Sequence, residues 1–266
     1  MPDSIKQRNN IHSFGPPDAQ PILFAHGYGC DQSMWRMVTP AFRDRYRVVL
    51  FDHVGFGNSD LSAFDTAKYV SLETYADDVL QICSELQLEN VIFVGHSVSS
   101  MIGALASIKA PGLFDKLILI GPSPRYINDG DYIGGFTKTD IDGLLNFLDS
   151  NYLGWSNALA PVIMDNADRP ELAEELANSF CRTDPVIAKH FAKLTFLSDN
   201  RADLAHVKTP SLILQCNPDA IAPPSVGRYL EQHLKNSTFV LLKAAGHCPH
   251  LSAPEETIAA MLTFLA

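Results

Sequence analysis

The sequence has no excess of positive charge, no long apolar run and few cysteines. Its 30 aspartate and glutamate residues outnumber its 20 lysine and arginine residues, which gives a net charge of −10. Such a charge argues against binding to nucleic acid or to an anionic membrane surface. The first ten residues contain no apolar segment of the kind that a secretory signal peptide needs, and the longest apolar runs have only strand length. The sequence therefore predicts neither export nor a membrane span.

Cysteine is scarce and scattered. The five cysteines are Cys30, Cys83, Cys181, Cys216 and Cys248. An odd number without any CxxC spacing predicts reduced thiols and a cytoplasmic protein. Cys248 follows His247 directly, but one local pair supplies too few ligands for a metal site. There is also no nucleotide-binding or phosphate-binding loop, so we expect no metal and no cofactor.

The chain instead alternates short β-branched runs with helical stretches. Its 266 residues, 46% of them hydrophobic, suit one large domain with a sizeable core. Strands are expected at Pro21–Ala25, Arg47–Phe51, Asn90–Val94, Lys116–Ile120, Ser211–Gln215 and Thr238–Leu242. Helices are expected at Ser33–Phe42, Leu72–Leu86, Val98–Ala110, Ser225–Leu234 and Pro254–Leu265. Continuous apolar strands alternating with helices indicate a mostly parallel sheet that is covered on both faces.

The alternation stops between about residues 130 and 200, where no strand is indicated. The pattern there predicts four amphipathic helices, at Asp140–Ser150, Trp155–Met164, Pro170–Phe180 and Pro185–Leu197. An insertion between two strands lies at the carboxyl edge of the sheet, where such folds bind ligands. We interpret residues 126–200 as a helical lid inserted into a core formed by residues 1–125 and 201–266.

The segment Val91–Ser99 carries the strongest functional signal. It predicts a strand, a sharp turn with Ser97 at its apex and then a helix, which is the context of a nucleophile elbow. The neighbours two positions before and after the nucleophile must be small, and Gly95 and Ser99 satisfy this. Alone, this pattern also fits an ordinary strand–turn–helix junction with a capping serine. Epoxide hydrolases and haloalkane dehalogenases have Asp at this position, so Ser97 argues against both.

A serine nucleophile needs a base, and four histidines follow the predicted lid. They are His206, His233, His247 and His250. His233 lies late in a predicted helix, and His206 precedes a strand without a turn. His247 follows a strand and a turn at the carboxyl edge of the sheet, which makes it the best candidate. His250 is close behind, with packing as its alternative role.

The acid should follow the preceding strand, Ser211–Gln215, and Asp219 does so. It would accept the second imidazole N–H and stabilise the imidazolium. Taken alone, Asp219 could also be an ordinary turn residue that follows Asn-Pro. The order Ser97, Asp219, His247 is the order of the triad in the α/β-hydrolase fold. We therefore predict that fold, with a mostly parallel central sheet, helices on both faces and a four-helix lid.

An oxyanion hole needs two preorganised N–H donors. One is expected from Val98, directly after the nucleophile, and the other from Tyr28, in the loop after the first predicted strand. Gly27 and Gly29 would let this backbone approach the reacting centre closely. The alternative is a simple tight turn.

The predicted lid also supplies apolar side chains for a ligand pocket, of which about half are expected to be plain packing. The candidates are Tyr126, Phe136, Leu144, Tyr152, Trp155, Leu159, Val162, Phe180, Phe191 and Phe196.

Several motifs resemble those of one family along nearly the whole chain. They are His26–Trp35 (HGYGCDQSMW), Phe51–Gly55 (FDHVG), Gly95–Ser99 (GHSVS), Gly121–Tyr126 (GPSPRY), Asn151–Trp155 (NYLGW), Ser179–Pro185 (SFCRTDP) and Gly246–His250 (GHCPH). The chain resembles the RsbQ family of bacterial stress-signalling hydrolases and the related plant karrikin and strigolactone receptors. Ser99 resembles the karrikin-receptor form of the elbow, whereas the lid resembles RsbQ.

The resemblance implies the same triad and the same oxyanion donors. It also implies a four-helix lid over a narrow hydrophobic pocket, and it places pocket residues at Tyr28, Tyr126, Phe136, Trp155, Leu159, Val162 and Phe196. Many family members have Phe where this chain has Tyr28, so its hydroxyl is expected to add a polar contact at the pocket mouth.

Three readings of the function stay open. The first is a hydrolase of small apolar esters, lactones or butenolides. The second is a sensor that uses the same pocket to control a protein partner, which the resemblance suggests to be a PAS-domain phosphatase. The third is a carbon–carbon bond hydrolase, which would need a more polar pocket.

Overall fold

A seven-stranded sheet forms the centre of the computed structural model, which describes residues 4–266. The strands are β1 (His12–Phe14), β2 (Pro21–Ala25), β3 (Arg47–Leu50), β4 (Val91–His96), β5 (Phe114–Ile120), β6 (Ser211–Gln215) and β7 (Ser237–Leu241). Their order is β1-β3-β2-β4-β5-β6-β7. Only the β1–β3 pair is antiparallel among the pairings of these strands. The predicted mostly parallel sheet is confirmed.

Helices cover both faces of this sheet. They are α1 (Ile5–Arg8), α2 (Leu72–Glu85), α3 (Val98–Lys109), α4 (Lys138–Ser150), α5 (Tyr152–Met164), α6 (Pro170–Arg182), α7 (Pro185–Phe196), α8 (Pro224–His233), α9 (Pro249–Ser252) and α10 (Pro254–Leu265). Leu23 of β2 packs into a core cluster with α2 and α3, whereas its neighbour Phe24 packs with Trp35 and with Met261 of α10. Successive strand residues thus face opposite layers, which explains why the strands read as continuous apolar runs. No helix in residues 4–266 is long and apolar enough to cross a membrane.

Four helices, α4 to α7, lie between β5 and β6 in the chain, as the predicted lid requires. We call them the helical insertion. Local caps fix where they begin: Thr137 and Asp140 form a capping box at α4, and the Asp184 side chain accepts the N–H groups of Val186 and Ile187 at α7. Their inner faces share an apolar cluster with core residues such as Met34 and Ile221.

Two local predictions differ from the structure. The expected helix at Ser33–Phe42 is instead two short 3-10 helices, Gln32–Trp35 and Thr39–Ala41. Pro40 lies within the second of them. A proline has no N–H to donate to the preceding turn and its ring crowds that turn, which disfavours one continuous α-helix. The edge strand β1 was not predicted, because its three residues are all exposed and carry no apolar alternation.

Candidate active site

Ser97 lies at a strained turn between β4 and α3. Its backbone has φ +56° and ψ −123°, a region that residues with a side chain seldom occupy. A Cβ on Gly95 would lie 2.5 Å from the carbonyl oxygen of Ser99, so only glycine fits there. This is the geometry of a nucleophile elbow, in which the turn lifts the serine hydroxyl above the carboxyl edge of the sheet.

Ser99 occupies the position that is usually glycine in such an elbow. Its side chain is fully buried, and its hydroxyl donates to the carbonyl oxygen of His26. The Nε2 atom of His53 lies 2.8 Å from the same hydroxyl. The serine therefore joins the elbow to the end of β2, a link that glycine could not make.

His247 connects Ser97 to Asp219 by two hydrogen bonds. Its Nε2 lies 2.8 Å from the Ser97 hydroxyl, and its Nδ1 lies 2.8 Å from Oδ2 of Asp219. Because a carboxylate only accepts, the Nδ1–H donates to Asp219, and Nε2 is then free to accept the serine proton. The exposed fractions of Ser97, Asp219 and His247 are 6%, 5% and 4%. Water is thus largely excluded from this chain of hydrogen bonds.

The Asp219 carboxylate is itself held by backbone groups. Its Oδ1 accepts the N–H groups of Ile221 and Ala222 at 2.8 and 3.0 Å. Those bonds leave Oδ2 directed at His247. The loop after β6 therefore orients the acid before any ligand arrives.

The backbone of His247 is held from two sides. Its N–H donates to the carbonyl of Ile163 at the end of α5, 2.8 Å away. Its own carbonyl accepts Nε2–H of His96 at 2.9 Å. Gly246 allows this approach, because a Cβ there would lie only 1.9 Å from the carbonyl oxygen of Met164. The helical insertion thus contacts the candidate base directly.

His250, the competing candidate base, is a core residue. It is completely buried, and its ring packs against those of Trp35 and His96 at 4.7 and 4.4 Å. Neither of its ring nitrogens has a hydrogen-bond partner among residues 4–266. Burial lowers the pKa of His250 to about 3, so the ring is neutral and only packs.

The other two histidines lie away from Ser97. His206 ends a short 3-10 helix, Leu204–His206, before β6. His233 stacks on Tyr229 at the end of α8.

The candidate oxyanion loop, Gly27–Gly29, lies against the elbow. A Cβ on Gly27 would come within 2.5 Å of His96 Nδ1 and 3.4 Å of the Ser97 Cβ. Within the described part of the chain, the backbone N–H groups of Tyr28 and Val98 donate to no protein acceptor. Two free N–H donors beside the nucleophile are what an oxyanion hole requires.

The Tyr28 side chain differs from the expected polar contact at the pocket mouth. Its hydroxyl donates to the carbonyl of Ala188 in α7 at 3.2 Å. Its ring stacks on Phe191 of the same helix, with 7° between the ring planes. Tyr28 therefore ties the oxyanion loop to the helical insertion.

A narrow apolar cavity lies between Ser97 and the insertion. The centre of a water molecule can occupy about 30 Å³ of it. Six predicted pocket residues line it, namely Tyr28, Tyr126, Trp155, Leu159, Phe180 and Phe196. The other lining residues are Cys30, His96, Ser97, Ile163, Leu176, Thr195, Ile221, His247 and Cys248.

Five predicted pocket residues do not line this cavity, namely Phe136, Leu144, Tyr152, Val162 and Phe191. The prediction for Val162 is wrong: its side chain is 50% exposed, and the next residue, Ile163, faces the cavity instead. Phe136 and Leu144 are half-buried and pack against the apolar cluster of the insertion. The spacing of Trp155, Leu159 and Ile163 by four residues puts them on one face of α5, and this spacing could have identified Ile163.

All five cysteines are free thiols, as their spacing predicted. Cys30 and Cys248 line the cavity, and burial raises the pKa of both, which keeps them protonated and poorly nucleophilic. In residues 4–266 no group of three or more His, Cys, Asp or Glu side chains could hold a metal ion.

Comparison with known proteins gives a consistent picture. Residues 22–260 match the model of the Alpha/beta hydrolase family. The chain is 42% identical to strigolactone esterase D14 of Arabidopsis thaliana, over 95% of this chain and 94% of that protein. It is 39% identical to a karrikin insensitive 2 receptor of Petunia hybrida, over 97% and 96% of the two chains.

Among solved structures, a hydrolase from Oleispira antarctica superposes with a TM-score of 0.96. It is 43% identical and covers 99% of this chain and 96% of its own. The resemblance to the karrikin and strigolactone receptors is confirmed by these relatives. The chain belongs to the alpha/beta hydrolase family and is an α/β-fold serine hydrolase.

Proposed function

We propose that this protein hydrolyses small hydrophobic esters, lactones or butenolide-type compounds, with Ser97 as nucleophile, His247 as base and Asp219 as acid. One observation carries the proposal. The Ser97–His247–Asp219 hydrogen bonds, each 2.8 Å long, end at a serine that lines a narrow apolar cavity. Such a cavity suits a small ligand with few charged groups.

In the proposed reaction the Ser97 oxygen attacks the carbonyl carbon while His247 Nε2 takes the hydroxyl proton. The N–H groups of Tyr28 and Val98 stabilise the negative oxygen of the tetrahedral intermediate. His247 then gives the proton to the leaving oxygen, and an acyl-enzyme forms at Ser97. Water, activated by His247, releases the acid and restores the serine.

A sensing role is the second candidate, and the contacts of the insertion favour it. The free volume of the cavity is too small for a ligand of several rings, so such a ligand requires the wall to move, and part of that wall is formed by residues of α5, α6 and α7. Two of those helices bond to the site: α5 through Ile163 to His247, and α7 through Ala188 to Tyr28. A ligand that favours one arrangement of the insertion would thus change the surface offered to a partner protein.

The rest of the proposal rests on composition and resemblance. A cytoplasmic location follows from the scattered cysteines, and a PAS-domain phosphatase partner follows from the likeness to RsbQ. A carbon–carbon bond hydrolase is disfavoured, because the cavity wall is almost entirely apolar.

Kinetics of the wild type and Ser97→Ala would test the proposal. Both single-turnover and steady-state rates should be measured on p-nitrophenyl acetate and on a synthetic butenolide, with thermal melts in parallel. Multiple turnovers that require Ser97 would establish a working hydrolase. One slow turnover with a melting shift would favour the sensor. Equal rates for the wild type and Ser97→Ala would refute the nucleophile assignment.

A further inference from the structure

Three buried polar side chains surround the start of the oxyanion loop. They are His26 at the end of β2, His53 in the loop after β3, and Ser99 in α3, and each is at most 1% exposed. None of the three lines the cavity. Burying a polar side chain is unfavourable unless it finds partners. The hydrogen bonds of these three residues therefore show what they hold in place.

The directions of these hydrogen bonds follow from which partners can only accept. The Ser99 hydroxyl donates its one proton to the His26 carbonyl, so His53 Nε2, 2.8 Å away, must donate to the hydroxyl oxygen. The His53 backbone N–H donates to His26 Nε2 at 3.0 Å. The proton of the His26 ring is therefore on Nδ1, which donates to the Gly27 carbonyl at 2.9 Å. Burial lowers the pKa of both histidines, so both rings are neutral.

These bonds hold the two peptide groups that lead to the Tyr28 N–H. In a planar trans peptide the C=O and the N–H point in opposite directions. The Gly27 carbonyl shares its peptide group with the Tyr28 N–H, so the bond from the His26 ring sets the direction of that N–H. The preceding peptide group carries the His26 carbonyl, which the Ser99 hydroxyl holds. Gly27 lies between the two groups and has no side chain to restrict their rotation.

We propose that Ser99 and His53 are positioning residues of the oxyanion hole. The His53 Nε2–H orients the Ser99 hydroxyl, and this hydroxyl holds the His26 carbonyl so that the Tyr28 N–H points at the developing negative oxygen. The inference rests on the proposed function, because that oxygen forms only when Ser97 attacks a carbonyl. Donors fixed in advance stabilise the transition state without the cost of reorientation. Glycine at position 99 would leave the His26 carbonyl without this support.

The test measures how much each enzyme gains from the oxyanion hole. It compares p-nitrophenyl acetate with its thionoester, in which sulfur replaces the carbonyl oxygen. Sulfur accepts hydrogen bonds only weakly, so well-placed donors favour the oxoester. The rate of the first release of p-nitrophenolate is measured for both compounds, and their ratio is divided by that of the uncatalysed hydrolysis rates. This first release reports acylation of Ser97 and needs no second turnover.

Two matched pairs of variants are used. Ser99→Ala removes the hydroxyl, and Ser107→Ala is its control, because Ser107 is also buried in α3 but donates to the Ala104 carbonyl of its own helix at 2.7 Å. In the second pair, the amide of His53→Gln can replace the Nε2–H donor, whereas His53→Leu has a similar size and no donor. Melting temperatures are measured in parallel, because a merely structural role would lower stability and both acylation rates together.

The corrected preference for the oxoester should fall by about 10-fold in Ser99→Ala and His53→Leu, since the donor is displaced and not removed. Ser107→Ala and His53→Gln should keep the preference within about 2-fold of the wild type, because both retain the bonds to the loop. An unchanged preference in Ser99→Ala and His53→Leu would overturn the inference, even where the release requires Ser97. If Ser99→Ala does not fold, the His53 pair decides. Release that does not require Ser97 in the wild type would overturn the proposed function, and the inference with it.

Discussion

At the scale of single residues, two neighbouring histidines have different environments and so different expected roles. His247 bonds to Ser97 and Asp219, whereas the His250 ring has no hydrogen-bond partner among the described residues and packs between Trp35 and His96. We predict that His247→Ala lowers kcat by about 10³-fold or more, as loss of a triad base does. His250→Phe, which keeps an aromatic ring in the same space, should keep kcat within about 10-fold. Steady-state kinetics on p-nitrophenyl acetate would decide; a larger loss in His250→Phe would show that the base was misassigned.

The sequence allowed the candidate residues of the triad to be chosen because each follows a strand in a fixed order. It could not resolve which face of α5 meets the cavity, since Val162 and Ile163 are both β-branched and apolar. Their positions differ by about 100° around the helix. An error of one residue therefore assigns a solvent-exposed side chain to the cavity wall.

At the scale of elements, the contact between the end of α5 and the loop before His247 depends on one glycine. Gly246 has φ +83°, and a Cβ there would lie 1.9 Å from the Met164 carbonyl oxygen. Gly112 has a similar φ of +89°, but in the part of the chain that the structure describes no atom lies within 4 Å of the position a Cβ would take. Alanine substitutions at these two glycines therefore distinguish the effect of a steric clash from the effect of a strained φ alone.

We predict that Gly112→Ala lowers the free energy of unfolding by only about 1–2 kcal/mol, the cost of strained φ. Gly246→Ala should lower it by clearly more, because α5 must also move away from the loop. It should also lower kcat, since the Ile163–His247 hydrogen bond is displaced. Urea unfolding and kinetics of both variants check this. Equal losses of stability would mean that α5 does not constrain the loop.

The elements themselves were largely predictable where a periodic apolar pattern dominates. The predicted strands Pro21–Ala25 and Ser211–Gln215 have the bounds found in the structure, and so does the final helix, Pro254–Leu265. Helices α6 and α7 begin at the predicted residues, whereas α4 and α5 begin two and three residues earlier than expected, after the capping residues Thr137 and Asn151. The short strand β1 was missed because backbone pairing with β3, and not any side-chain pattern, creates it.

At the scale of the whole molecule, stability should depend on buried neutral histidines. Burial lowers the pKa of His26, His53, His96 and His250, the last to about 3. Below about pH 6.5 the unfolded chain binds protons that these folded side chains do not, so stability falls as pH falls. Each such histidine contributes a slope of at most about 1.4 kcal/mol per pH unit. Burial raises the pKa of Asp78. This shift changes the free energy of unfolding in the opposite direction as pH falls, so it partly offsets the slope from the histidines at lower pH.

We therefore predict that the free energy of unfolding is highest above about pH 7 and decreases steeply toward pH 5, by several kcal/mol. His250→Phe removes one of the four histidines without removing a hydrogen bond, so its slope should be smaller by up to about 1.4 kcal/mol per pH unit. Urea unfolding of the wild type and His250→Phe at several values between pH 5 and pH 8 measures both slopes. Equal slopes of unfolding free energy against pH in the two proteins would mean that His250 takes up a proton in the folded state. That outcome would contradict the prediction, because the contacts of His250 with Trp35 and His96 provide no group that stabilises a charged ring.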